Sequence, residues 1–82
     1  MIIQILKKMK DQIQIIESAR QEKEPTFTLR AKDKCSIIAL AAYNVACKVM
    51  GVNSEHVIET NEIYRNFIDY QFHNPDKVKL PD

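Results

Sequence analysis

The segment KCSIIALAAYNVACKVM, residues 34–50, limits the possible folds more than any other. Wound as a helix, it points Ile37, Ile38, Leu40, Ala41, Ala42, Val45, Ala46, Val49 and Met50 in nearly every direction. A helix that is apolar all round belongs at the centre of a structure, with neighbours on several sides. Its alanines let those neighbours come close. Ser36, Asn44 and Lys48 share one line with Leu40, spaced by four residues, and Tyr43 borders it. Asp33 is placed to cap the start of this helix. Gly51, the only glycine in the chain, stands where a left-handed C-cap belongs.

The chain has 82 residues, 45% of them hydrophobic, which allows one domain. A domain of that size buries roughly 60% of its unfolded surface. So much apolar side chain in so small a body leaves apolar surface uncovered, and a second copy is the simplest cover. We therefore expect an obligate homo-oligomer, a dimer or larger.

Two amphipathic segments flank the central one. In residues 2 to about 22, Ile2, Ile5, Leu6, Met9, Ile13 and Ile16 follow the helical repeat, and Ile3 and Ile15 widen the stripe. Lys7, Lys8, Lys10, Asp11, Gln14, Glu17 and Ser18 fill the other side. The third helix should run from 54 to about 73, capped by Asn53 or Ser54, with Glu55 at the positive end of its dipole. Val57, Asn61, Tyr64, Ile68 and Phe72 form its stripe, flanked by Ile63, Phe67 and Tyr70. Pro75 ends it.

Between the first two helices, Pro25 stops the helix at Glu24, and Thr26, Phe27, Thr28, Leu29 and Arg30 alternate. No second strand is evident in the sequence. This extended segment, about 26–30, either pairs with its own copy across a two-fold axis or stays an arm packed by Phe27 and Leu29. The expected fold is mainly α: three helices with one short extended segment. Residues 1–74 form a single helical domain, and 75–82 a polar tail, mobile unless Val78 and Leu80 dock.

Several function classes find little here. Twelve basic against eleven acidic residues give no strong field for nucleic acid or an anionic membrane. No basic stripe, aromatic-rich sheet or helix pair of a DNA-reading kind appears. No run reaches the ~20 apolar residues of a membrane span. The start does not read as a secretory signal, so a complete cytoplasmic chain is expected. Cys35 and Cys47 sit twelve positions apart in one helix, about 18 Å by rise, too far to pair. They read as buried structural thiols. His56, Glu55, Glu59 and Glu62 read as a solvated face rather than a metal site. We expect no cofactor, no metal and no catalysis. Metal-dependent turnover of nucleotides would have only Glu59 and Glu62 as loose candidates.

The chemistry concentrates at the junction of residues 30–34. Arg30 leaves the extended segment away from Phe27 and Leu29, and Lys32 and Lys34 follow within four residues. The unpaired amides of the next helix begin at the same place, and such amides bind phosphate. Arginine adds a planar fork suited to phosphate oxygens. Tyr43, Asn44 and Lys48 would line a groove further along, and Tyr64 or Tyr70 would stack on a base. The competing expectation pairs Arg30 with Asp33, Glu59 or Glu62 and leaves the lysines in solvent.

The stretch PTFTLRAKD, residues 25–33, resembles a Pro-x-Phe-x-Leu-Arg-Ala-x-Asp segment that leads into a helix in small proteins of phages and mobile elements. Pro25, Phe27, Leu29, Arg30, Ala31 and Asp33 carry the resemblance, about a tenth of the chain. It implies a setting, a phage or integrated element inside a bacterium and hence the host cytoplasm, and no settled activity. In size and helical make-up the chain is also similar to oligomeric phage proteins that sequester the nucleotide signals of bacterial immune systems. Together these readings lead to an oligomeric, non-enzymatic binder of a phosphate-bearing small molecule. The alternative is a module that grips a host protein through exposed apolar helix surface.

Overall fold

The computed structural model describes the backbone of residues 2–81 and the side chains of residues 12–81. The stripe residues Ile2, Ile3, Ile5, Leu6 and Met9, and Lys7, Lys8, Lys10 and Asp11, lie outside the residues whose side chains are described. Three helices follow in order: α1 (Ile2–Gln21), α2 (Ser36–Val49) and α3 (Ser54–His73). No strand occurs among the described residues. None of the helices is long and apolar enough to cross a membrane.

The ends of the helices follow local chemistry. At the end of α1, Glu24 N donates to Ala19 O at 2.8 Å and Lys23 N to Arg20 O at 3.2 Å. This is the paired closure of a Schellman turn, and it puts Lys23 at φ +58°. α2 ends in the same way: Val52 N donates to Cys47 O and Gly51 N to Lys48 O, with Gly51 at φ +71°. α3 opens on Asn53, whose side-chain oxygen accepts from Glu55 N at 2.7 Å. It closes at Asn74, whose backbone and side-chain nitrogens both donate to Tyr70 O at 2.9 Å.

α2 and α3 pack against each other, and their seam is polar. Asn44 Nδ2 donates to Thr60 Oγ1 at 3.0 Å and to Val57 O at 3.3 Å. Thr60 Oγ1 donates in turn to Val57 O at 2.8 Å. Among the described residues, Ser36, Asn44, Cys47 and Thr60 are buried, as is Ala19 of α1. α2 is thus not the enclosed helix that its composition predicts. Ile38, Val45, Val49 and Met50 face solvent, because the described chain brings only α3 against it. Cys35, expected to be buried, is exposed, since it stands just ahead of α2 rather than inside it.

The segment 24–30 takes up neither helix nor strand. Phe27 does not pack; it is 84% exposed, while Leu29 is half-buried. The tail after α3 docks through its backbone. Lys34 N donates to Lys79 O at 2.9 Å and Lys79 N to Lys32 O at 3.0 Å, a parallel bridge between Asp33 and Lys79. Val78 is half-buried and Leu80 exposed.

Candidate functional site

The junction at residues 30–36 is held from three directions. Asp33 N donates to Arg30 O, closing a tight turn. Asp33 Oδ1 accepts from Cys35 N at 2.8 Å, and Asp33 O accepts from Ser36 N and from Ser36 Oγ, the latter at 2.7 Å. From α3, Gln71 Nε2 reaches back and donates to Ala31 O at 2.9 Å and Asp33 O at 3.1 Å. The bridge to Lys79 adds the third tether.

This geometry narrows one expectation. The amides that lead into α2, those of Asp33, Lys34, Cys35 and Ser36, all donate to internal oxygens. A short polar residue ahead of a helix satisfies the amides that follow it, and the tail takes the remaining one. α2 accordingly starts at Ser36, two residues later than the expected start at Lys34.

Several cationic side chains meet here. Among the described residues, the Arg30 guanidinium and the ammonium groups of Lys32, Lys77 and Lys79 make no hydrogen bond or ion pair. Because the tail docks, its lysines join Arg30 and Lys32 on one surface. An open cleft of about 310 Å³ is lined by Thr28, Arg30, Lys32, Asp33, Lys79, Leu80 and Pro81. A neighbouring one of about 410 Å³ is lined by Arg30, Lys32, Tyr70, Asp76, Lys77 and Lys79. Arg30, Lys32 and Lys79 belong to both. Four cations therefore face two carboxylates, Asp33 and Asp76, and the Asp33 carboxylate already accepts from Cys35 N.

The structure brings Arg30 and Lys32 together and leaves the other sequence candidates elsewhere. Lys34 is exposed but lines neither cleft. Asn44 is buried in the α2–α3 seam and spends its donors on Thr60 and Val57. Lys48 is exposed further along α2. Tyr43 faces His56, with its hydroxyl 3.0 Å from His56 Nε2 and the two rings edge to face at 6.0 Å. The Tyr43 phenol is pushed above the ordinary tyrosine range, first by a hydrogen bond with the Cys47 side chain and then by burial. Of the two tyrosines proposed for stacking, Tyr70 lines the cleft.

Sequence reasoning missed Lys77, Lys79 and Gln71. The alternation Lys77-Val78-Lys79-Leu80 was the available signal for the first two, since period two marks an extended segment able to pair. No local pattern announces Gln71. No protein-family model matches the chain, nor does any curated protein or solved structure.

Proposed function

We propose that this protein is a non-enzymatic, self-associating binder of a phosphate-bearing small molecule, taken up in the cleft between the α1–α2 junction and the C-terminal tail. The observation that carries the reading is the meeting of Arg30, Lys32, Lys77 and Lys79, their charged groups without a partner among the described residues, beside Tyr70. Arg30 offers paired N–H donors to phosphate oxygens, and the lysines add compact positive charge. The Tyr70 ring is a platform for a base, which makes a nucleotide the best-fitting ligand class. In a phage or integrated element, such a protein would withhold a nucleotide signal from the defences of its host.

Calorimetric titration with inorganic pyrophosphate and with ATP tests this. Losing one charge-assisted hydrogen bond costs about 1.5–3 kcal/mol, so Arg30→Ala should weaken both ligands by roughly 10- to 100-fold. Its thermal midpoint should barely move, because the side chain is exposed and unpartnered. Tyr70→Ala should weaken ATP and spare pyrophosphate. Binding that ignores Arg30→Ala would refute the cleft.

The exposed apolar residues of α2 favour a second reading, a module that grips another protein. Under that reading alone, Arg30→Ala does little, and a charge on the apolar helix surface abolishes the complex.

A further inference from the structure

α2 turns part of its apolar surface outward. Asn44 is buried against α3 with Cys47 also buried and Ile37, Leu40 and Ala41 half-buried, while Ile38, Ala42, Val45 and Val49 form an outward seam, with Met50 beside it. Ile38, Val49 and Met50 are 75%, 78% and 79% exposed. The spacing of four, three and four residues along this seam suits a helix laid nearly parallel to it. Ala42 allows that helix close approach.

α1 has the complementary problem. Among the described residues its backbone does not come within 8 Å, Cα to Cα, of α2 or α3. Ile13 and Ile16 are exposed on it, and in sequence they continue the stripe of Ile5 and Met9 at the same alternation of fours and threes. Its 20 residues span about 30 Å, enough to cover the roughly 21 Å of the 14-residue α2. Charge agrees. α1 carries Lys7, Lys8 and Lys10 outside its stripe, and α3, the helix beside α2, exposes Glu55 and Glu59.

Area supplies the independent argument. One chain exposes 7203 Å², whereas a compact folded chain of 9.5 kDa exposes about 5,000 Å². The excess, on the order of 2,000 Å², is well above the ~800 Å² that each partner contributes to a standard stable interface. The radius of gyration of 13.8 Å likewise exceeds the ~12 Å of a compact chain this long.

We infer that the outward seam of α2 is the docking site for α1 of a second copy of this chain, with Ile13 and Ile16 set against Ala42, Val45 and Val49. In the two-fold arrangement each copy lends its α1 and receives the other's. The interface lies apart from the cationic cleft and does not depend on what that cleft binds.

Analytical ultracentrifugation of the full chain tests the exchange. The wild type should sediment as a dimer or a larger even assembly across 1–200 µM. Ile16→Glu and Val45→Lys should each sediment as monomers, because each breaks both reciprocal contacts. Mixed in equal amounts, they should recover dimer: one contact in the mixed pair is wild type, and the other sets the introduced carboxylate against the introduced ammonium group. Should the variants fail to fold, the wild-type mass and the rise of its thermal midpoint with concentration decide the matter. A monomeric wild type, with α1 folded onto its own α2 or the seam reserved for a different protein, overturns the inference. So does an Ile16→Glu variant that remains dimeric.

Discussion

Two of the described residues hold the left-handed conformation, and one of the two, a glycine, is suited to it. Gly51 turns the chain after α2 at φ +71°, and a methyl group added there would meet nothing within 4 Å. Any loss on substitution is therefore conformational. Gly51→Ala should cost about 1–2 kcal/mol. In calorimetry that lowers the thermal midpoint by several degrees, at about 4–8 °C per kcal/mol for a domain of this size. Lys23 does the same work at φ +58° with a side chain that disfavours it. Lys23→Gly should then raise stability, by up to about 1 kcal/mol. Tyr43 adds a pH dependence. Its folded pKa is raised, so the folded state holds the phenolic proton more tightly than the unfolded chain does. That stability is complete below pH ~10 and is lost as pH climbs through the folded pKa. Alkaline unfolding curves should fall over this range for the wild type and flatten for Tyr43→Phe. The Gly51 turn and the Asn53 cap were readable in the sequence because both are decided within four residues. Lys23 was not, because no short-range rule puts a lysine where glycine is preferred.

At the scale of elements, the three helices appear with nearly the expected bounds, because periodicity and caps are local signals. What the sequence left open was the direction in which α2 faces. Ser36, Asn44 and Lys48 form one polar line, and nothing local says whether that line meets solvent or a neighbour. The structure turns Asn44 inward because α3 offers partners, the Thr60 hydroxyl and the Val57 carbonyl, sixteen and thirteen positions away, whereas Ser36 bonds locally to Asp33 O. Asn44→Ala removes both donated bonds and leaves Thr60 with its own bond to Val57 O. It should cost about 1–3 kcal/mol in denaturant unfolding. Paired with Thr60→Val in a double-mutant cycle, the two sites should couple by at least ~0.5 kcal/mol. Additive losses would mean that the Asn44–Thr60 bond contributes little. The junction was half legible for the same reason. Arg30, Lys32 and the capping Asp33 are adjacent in sequence, whereas Gln71 reaches the loop across 40 residues. Lys79 arrives there only because the tail pairs as an extended strand would.

At the scale of the whole molecule, two surfaces stand out: an apolar seam that one chain leaves uncovered and a cleft where four cations outnumber two carboxylates. The chain's length and hydrophobic share announced the first. The second needed the fold, since half of its cations come from the tail. The two surfaces can be tested apart, because Arg30→Ala leaves the seam intact and Val45→Lys leaves the cleft intact. The cleft is the central claim, and amide chemical-shift mapping of the full ¹⁵N-labelled chain with ATP tests it most directly. The account predicts saturable shifts confined to residues 28–34, Tyr70 and residues 76–80, reduced at higher salt and absent in Arg30→Ala. Shifts that centre on other residues, or none at millimolar ATP, would contradict it.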